Sequence, residues 1–282
     1  MIAVGHDADD ALQRAHRRAR ERGVSRPLRV LARALLTPLL RGWLGLRTTG
    51  REHVPAQGTV IIACNHKSFL DPFFIGIALR RTLRFMAKQE LFGGPLGWLL
   101  QRLGAFPVRR GEADAQALAT ARAILAQGDA LVMFPEGTRV GDPTALGSPH
   151  HGAGRLALET GAPLVPAAIA GTDHLWLGPL PRPRRVRLTF GAAIDPRPLA
   201  GHPDALTQLV DGELWPAVRE EYAHERGRPG LLLAALAAVG LGGGLLARRQ
   251  ARAEPRILGI VEPSKLRRRK ARTRLLGRLR RH

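Results

Sequence analysis

Apolar and polar positions alternate with two different periods along the central part of the chain. Short apolar runs, typical of buried strands, occur at residues 59–64, 83–87, 104–108, 130–134, 163–169 and 186–190. Longer stretches with helical periodicity lie between and after them, at residues 71–80, 95–103, 112–127, 151–161 and about 204–225. Strands that alternate with helices predict right-handed crossovers and an α/β fold, with a mostly parallel central sheet flanked by helices.

Two helical patterns rich in arginine precede this region. Residues 10–23 are mostly polar, whereas residues 27–45 alternate apolar blocks with single arginines. Pro38 is expected to kink the second helix, and its charges are too frequent for a membrane span. We therefore predict N-terminal amphipathic helices within residues 1–48. They either lie in the membrane plane, with Trp43 near the headgroups, or pack on the domain.

An apolar run and a basic tail follow the helical pattern that ends near residue 225. Residues 231–247 carry no charge, and as a helix they would extend about 25 Å, less than the roughly 30 Å of a hydrocarbon core. We predict that segment 229–247 inserts into a membrane, either shallowly or as a span, or packs on the domain, and that the basic C-terminal extension 248–282 is disordered. The remaining residues, 49–228, form the predicted catalytic domain.

The net charge of +21 is concentrated at the two ends of the chain. Residues 1–48 carry ten arginines against four acidic residues, and residues 248–282 carry fourteen basic against two acidic residues. Basic ends of this kind favour anionic lipid headgroups or nucleic acid as partners. The single cysteine, Cys64, excludes an intrachain disulfide, and the first ten residues lack the apolar core of a signal peptide. Both features favour the cytoplasm or the cytoplasmic face of a membrane.

A histidine and an aspartate stand five residues apart just after the first predicted strand. His66 follows the run 59–64, and Asp71 opens the next helix together with Pro72, so Asp71 is also a candidate helix cap. A strand-to-helix turn can bring both side chains to one cleft. The pair suits general-base chemistry, in which imidazole takes a proton from a hydroxyl and carboxylate fixes the tautomer.

Three further segments, residues 104–110, 134–139 and 165–167, are predicted at the carboxyl ends of strands. Because ligands bind at that edge of an open parallel sheet, we expect these segments to converge with His66 and Asp71.

Four blocks in this order resemble the glycerolipid acyltransferase family that includes 1-acylglycerol-3-phosphate acyltransferases, over about residues 50–195. They are Asn65 to Asp71, Arg110 after a strand, Phe-Pro-Glu-Gly-Thr-Arg at 134–139, and a Val-Pro turn at Val165-Pro166. The resemblance implies transfer of a fatty acyl group from acyl-CoA or acyl-carrier protein to the free hydroxyl of 1-acylglycerol-3-phosphate, giving phosphatidic acid. His66 is then the general base and Asp71 orients it, with no acyl-enzyme, no metal and no cofactor besides the thioester co-substrate.

The resemblance also implies a set of substrate-binding residues. They are Asn65, Ser68, Arg110, Glu136, Gly137, Thr138 and Arg139. Arginine grips phosphate oxygens through two parallel hydrogen bonds, Gly137 permits close backbone approach, and Glu136 is expected to bind a glycerol hydroxyl or hold an arginine. Family members often carry a basic Lys-Gly where this chain has His150, His151 and Gly152. Histidine is mostly neutral at pH 7, which leaves another lysolipid or a lipid alcohol open as acceptor.

Competing interpretations exist for several of these residues. Cys64 and His66 could form a thiol–imidazole pair, but Cys64 completes an apolar run and core packing is favoured. Ser68 could stabilise the turn rather than touch substrate. A metal site at His150 and His151 lacks an evident third ligand. Headgroups, the phosphates of coenzyme A or solvent alone could face a cluster made of Arg182, Arg184, Arg185 and Arg187.

The expected partners are membrane phospholipids, a lysolipid acceptor and an acyl thioester donor, with a peripheral or monotopic location at the cytoplasmic face of the cell membrane. A basic nucleic-acid-binding protein is the alternative from a different class. Nucleic acid is not expected, because no aromatic residue follows Tyr222 and no helix-turn-helix or zinc pattern is present. A degenerate domain that only binds lipid is disfavoured by the intact His66, Asp71 and Glu136.

Overall fold

A computed structural model describes residues 3–110, 114–173, 175–177, 180–181 and 184–227 of the chain. The predicted apolar segment 229–247 and the basic tail 248–282 lie outside these residues, as does Arg182.

A seven-stranded sheet forms the middle layer of the domain. Its strands are β1 (Arg47–Thr49), β2 (Val60–Cys64), β3 (Leu83–Lys88), β4 (Ala105–Val108), β5 (Ala130–Met133), β6 (Leu164–Ala170) and β9 (Arg187–Phe190). Two short strands, β7 (Trp176–Leu177) and β8 (Leu180–Pro181), form a separate hairpin. The order in the large sheet is β1-β9-β6-β2-β5-β3-β4. Every pairing in it is parallel except β6 with β9. This confirms the predicted α/β fold with a mostly parallel sheet.

Helices precede the sheet and connect most of its strands. They are α1 (Ala3–Glu21), α2 (Arg26–Thr37), α3 (Asp71–Ala78), α4 (Gly94–Arg102), α5 (Ala115–Ala126), α6 (Gly152–Thr160), α7 (Ala205–Thr207) and α8 (Trp215–Gly227). Short 3₁₀ helices span Arg51–His53, Gln89–Phe92 and Arg197–Leu199, and π-helical segments span Pro38–Trp43 and Gln208–Leu214. At Pro38, where a kink was expected, α2 gives way to a π-helical segment, since proline cannot donate the helical hydrogen bond.

Alternate residues of β2 point into two separate apolar cores, one on each face of the sheet. Ile62 and Cys64 belong to the core that includes α3, whereas Ile61 and Ala63 belong to the core under α5 and α6. Both faces of the sheet are therefore covered, as a parallel sheet requires. At the carboxyl edge of the sheet the loops after β2 and β5 meet, where the amide of Val140 donates to the carbonyl of His66 at 2.9 Å.

The two N-terminal helices pack on this domain. His16 of α1 is buried and shares a 2.9 Å hydrogen bond with the hydroxyl of Thr120 on α5. From α2, Arg33 donates to the carbonyls of Gly76 and Leu79 at the end of α3, at 2.5 and 2.7 Å. The outer face of α2 and the segment after it nevertheless leaves apolar side chains exposed, namely Val30, Leu31, Leu35, Leu39 and Trp43.

The burial of His16 makes the free energy of unfolding depend on pH. Burial lowers its pKa to about 4, with Arg20 and Arg109 adding to the effect and Asp114 opposing it. Below pH 6.5 the unfolded chain binds more protons than the folded chain. The contribution of His16 to the free energy of unfolding is therefore complete above pH 6.5, and it falls toward pH 4 by about 1.4 kcal/mol per pH unit. Urea unfolding of wild type and His16→Gln across this range should show a shallower loss in the variant. Equal slopes would contradict this account, and the variant of the exposed His202, His202→Gln, is the matched control.

Candidate active site

His66 and Asp71 meet at the carboxyl edge of β2, as the sequence predicts. The Nδ1 atom of His66 lies 2.9 Å from Oδ2 of Asp71, which is fully buried. The same oxygen accepts hydrogen bonds of 2.7 Å from the backbone amides of Lys67 and Ser68. Asp71 therefore points back into the turn and does not cap α3, where Leu70 is the cap residue without a side-chain bond. The expected capping role is wrong, because Oδ2 accepts from the ring and the turn, whereas the buried Oδ1 has no hydrogen-bond partner among the described residues.

The imidazole of His66 is held from two sides. Its ring stacks on that of Phe134, with centroids 4.1 Å apart and planes inclined by 25°. Since a carboxylate only accepts hydrogen bonds, Nδ1 carries the proton and Nε2 keeps its lone pair. Within the described residues Nε2 has no hydrogen-bond partner. The Asp71 contact thus fixes the orientation of the ring and leaves Nε2 as the nitrogen that can meet a hydroxyl.

Glu136 has a different position from the one expected. Its Oε2 atom accepts a 2.6 Å hydrogen bond from the backbone amide of His66, and Oε1 accepts one of 2.7 Å from the amide of Gly147. The residue is 4% exposed. Both carboxylate oxygens are used inside the protein, so Glu136 positions His66 and the 136–147 segment instead of binding a glycerol hydroxyl or an arginine.

Lys67 is a functional candidate that the sequence did not single out. Its Nζ donates to the carbonyl of Asp142 at 2.7 Å and to that of Ala145, and it lies 5.3 Å from the ring centroid of Tyr222. Burial lowers the pKa of this lysine. Lys67 therefore ties the turn after β2 to the loop that Glu136 also holds. The sequence gives no spacing signal for Lys67, because its partners are backbone carbonyls distant in sequence.

Asn65 and Ser68 also differ from the expected substrate contacts. Asn65 is fully buried and exchanges two hydrogen bonds with the backbone of Ile169, which joins β2 to β6. The hydroxyl of Ser68 accepts from the amide of Leu70 at 3.3 Å, in agreement with the turn-stabilising alternative.

Cys64 behaves as a core residue. Its thiol is buried, and burial raises its pKa far above the ordinary value, with the carboxylates of Asp71 and Glu136 adding to the effect. A thiol held neutral in this way is a poor nucleophile, so the structure favours core packing over a thiol–imidazole pair.

Arg110 and Arg139 approach one another on the β5–β4 side of His66. Partial burial lowers the pKa of Arg110, and the positive charge of Arg139 lowers it further, while Glu90 opposes both effects. Thr138 and Arg139 are exposed after Gly137, whose φ is +64°. Two neighbouring guanidinium groups of like charge are a candidate site for an anion.

His150 occupies the edge of this site. A Cβ atom on Gly137 would lie only 2.9 Å from the His150 ring, so the missing side chain leaves room for it. The backbone amide of His150 donates to the carbonyl of Pro135 at 2.7 Å. His151 instead shares a 3.0 Å contact with Asp211. The two adjacent histidines thus have separate neighbours, and the expected basic position next to Gly137 holds an imidazole.

The segment Val165-Pro166 does not form a turn at the carboxyl edge, and that prediction is wrong. Both residues lie inside β6, where Val165 pairs with Ile62 and Pro166 with Ala63. Pro166 precedes the residues that pair with β9, and its carbonyl accepts from the amide of Gly191 at 2.8 Å. Proline is tolerated here because its missing N–H falls outside the β9 ladder.

The fold and the site together define an α/β domain with a hydrogen-bonded histidine–aspartate pair at the carboxyl edge of a parallel sheet and two arginines beside it. A family model described as Acyltransferase matches residues 45–170. This part of the chain is therefore similar to the acyltransferase family.

Several similar proteins are named 1-acyl-sn-glycerol-3-phosphate acyltransferase. Over 134 residues the chain is 35% identical to a 1-acyl-sn-glycerol-3-phosphate acyltransferase of Bacillus subtilis, covering 47% of this chain and 65% of that protein. It is 34% identical over 130 residues to a chloroplastic protein of the same name from Arabidopsis thaliana, covering 45% and 36%. A solved structure, the 1-acyl-sn-glycerophosphate (LPA) acyltransferase PlsC of Thermotoga maritima, matches with a TM-score of 0.58 and 26% identity over 72% of this chain and 80% of that one. The chain thus spans less than two thirds of the first two relatives.

Proposed function

We propose that this protein transfers a fatty acyl group from acyl-CoA or an acyl-carrier protein to the free hydroxyl of 1-acylglycerol-3-phosphate, giving phosphatidic acid. The observation that carries the proposal is the 2.9 Å pair of His66 and Asp71 at the carboxyl edge of the sheet. The similar proteins described above support the choice of reaction.

The chemistry follows from the orientation of the imidazole. Nε2 of His66 takes the proton of the acceptor hydroxyl as its oxygen attacks the thioester carbonyl. Asp71 stabilises the imidazolium through Nδ1. When the carbon–sulfur bond breaks, the leaving thiolate takes the proton back from the imidazolium. The acyl group passes directly between substrates, so no acyl-enzyme forms.

Arg110 and Arg139 are proposed to hold the phosphate of the acceptor. Arg139→Ala should raise the KM for lysophosphatidate about tenfold and lower kcat less, because one charge-assisted contact is lost from both ground and transition states. Initial rates at saturating acyl-CoA measure this, and Arg155→Ala, an exposed arginine of α6, is the matched control. An unchanged acceptor KM would contradict phosphate binding by Arg139.

Membrane association is proposed to use the exposed apolar stripe after Ser25. Leu31, Leu35 and Leu39 recur at intervals of four residues, and Leu39 lies in the π-helical segment that continues α2, so we propose that this face lies in the plane of a lipid surface. Nearby α4 exposes Leu96, Trp98 and Leu99. None of the described helices has both the length and the apolar content needed to cross a bilayer. Docking at the cytoplasmic face is the expected location, as a peripheral or monotopic protein.

An acceptor panel tests the proposed function. The purified chain is supplied with one acyl-CoA, or with the acyl-carrier protein thioester, and with lysophosphatidate, other lysolipids, lipid alcohols or glycerol-3-phosphate. Release of free thiol should be fastest with lysophosphatidate. A preference for a lysolipid without a phosphomonoester would support the second candidate, which the imidazole of His150 beside Gly137 favours. No thiol release with any acceptor would overturn acyl transfer.

A further inference from the structure

A second basic pocket lies on the opposite side of His66 from Arg110 and Arg139. The strand order places β6 and β9 on one side of β2, and β5, β3 and β4 on the other. Because β9 runs antiparallel to β6, its first residue lies at the same edge as the end of β6. The pocket opens there, with a volume of about 250 Å³, and its lining includes Asp173, Arg185, Arg187, Tyr222, Glu225 and Arg226.

The charges of this pocket do not cancel. Arg184 pairs with Asp173 at 3.1 Å. Arg187 lies 3.8 Å from the carboxylate of Glu225. The remaining two guanidinium groups, those of Arg185 and Arg226, have no carboxylate partner within the part of the chain that the structure describes. Two unneutralised arginines at one pocket favour a phosphate ligand, which each can grip through parallel hydrogen bonds.

The pocket shares a wall with the turn that carries the base. The hydroxyl of Tyr222 donates to the carbonyl of Pro143 at 2.8 Å. Lys67, the residue after His66, lies over the same tyrosine ring and donates to the carbonyl of Asp142. A ligand in the pocket therefore lies directly behind the loop that borders the active site.

A glycine sets the position of Arg185 at this pocket. Gly171, just after β6, has a φ of +84°, and a Cβ atom there would lie 2.6 Å from the carbonyl oxygen of Arg185. Only glycine allows the segment before β9 to approach so closely. The backbone that carries Arg185 is thus fixed against the end of β6, next to the catalytic strand β2.

We propose that Arg185 and Arg226 bind the phosphate of a phosphopantetheine-bearing acyl donor. This rests on the proposed function, which requires two substrates that meet at His66. The acceptor phosphate is assigned to Arg110 and Arg139, so the donor needs a separate anion site. In the donor, the pantetheine arm separates the phosphate from the thioester. The two ends of this arm would lie at β9 and β2, which are two strands apart, roughly 10 Å at ~4.8 Å per strand. Coenzyme A and carrier protein both present this phosphate.

The double variant Arg185→Ala/Arg226→Ala tests the pocket by kinetics. The KM for acyl-CoA should rise about tenfold or more, while the KM for lysophosphatidate changes little. With an acyl-pantetheine donor, which lacks phosphate, the rise of the donor KM in the variant relative to wild type should be several-fold smaller. A variant on the same helix, Arg219→Ala, removes an exposed arginine outside the pocket and is the matched control. An unchanged acyl-CoA KM, or an equal rise of the donor KM with acyl-pantetheine, would overturn the proposal.

Two further experiments distinguish the sources of the phosphate and test the pocket even if the enzyme assay shows no turnover. If the KM for acyl-carrier protein rises as much as that for acyl-CoA, the pocket binds the phosphate of the phosphopantetheine arm. If only the KM for acyl-CoA rises, the pocket binds the additional phosphates of coenzyme A. Calorimetric titration with free coenzyme A needs no turnover, and the double variant should bind at least several-fold more weakly. Loss of coenzyme A binding in a protein that never releases thiol would refute the reaction and leave the pocket standing, whereas equal binding would refute the pocket.

Discussion

Replacing His66 with alanine is expected to reduce acyl transfer by at least a hundredfold, the scale of a lost general base. The variant keeps Asp71 and the hydrogen bonds of its carboxylate to the turn, but nothing can take the proton of the acceptor hydroxyl. Free thiol release from acyl-CoA at saturating lysophosphatidate measures the loss. The effect should appear in kcat, because His66 contributes to the transition state more than to binding of either substrate.

The exposed His202 provides the control for this result, and His202→Ala should leave the rate unchanged. Since the His66 ring stacks on Phe134, folding of the variant is checked by its thermal transition, and His66→Gln offers a substitution with less loss of volume. Asp71→Asn should also lower kcat, because an amide can stabilise neither the productive tautomer nor the imidazolium. Near-normal turnover in folded His66→Ala would end the proposed mechanism.

Glu136→Ala is expected to lower kcat by at least tenfold without any change to a group that touches substrate. The substitution leaves the buried amides of His66 and Gly147 without acceptors, and each unsatisfied amide costs about 1–3 kcal/mol. Relief of that cost requires the turn after β2 and the 136–147 segment to move, and the imidazole moves with them. Steady-state kinetics with both substrates, together with urea unfolding, measures the two consequences.

The ratio of the two kinetic parameters distinguishes a positioning role from a substrate contact. If Glu136 binds the glycerol backbone, its removal raises the acceptor KM. If it only accepts hydrogen bonds from the amides of His66 and Gly147, its removal lowers mainly kcat and the free energy of unfolding. Glu136→Gln should recover part of the rate, because its carbonyl oxygen still accepts from one of the two amides. Glu220→Ala, at an exposed position of α8, is the matched control. A rise in acceptor KM with an unchanged free energy of unfolding would contradict the positioning role of Glu136.

Much of the fold follows from patterns that are local in sequence. The apolar run before His66 predicts β2 within one residue of its observed limits, and the helix that opens at Asp71 begins where expected. The pair itself is also local, since both residues belong to one strand-to-helix turn and their distance depends on a few backbone angles. Pro166 shows where such patterns mislead. Whether a proline ends a strand or lies within it depends on which neighbouring strand needs its N–H, and that neighbour is distant in sequence.

The sequence by itself determined the α/β class, the order of its elements, the histidine–aspartate pair and the resemblance to an acyltransferase, because each is a property of residue type and short spacing. Only the tertiary structure decided what Glu136, Asn65 and Lys67 do, since their partners are backbone groups 11 to 104 residues away. The same holds for the pocket of Arg185 and Arg226. An arginine cluster becomes a binding site only when the fold determines which of its charges find carboxylates and which remain available to a ligand.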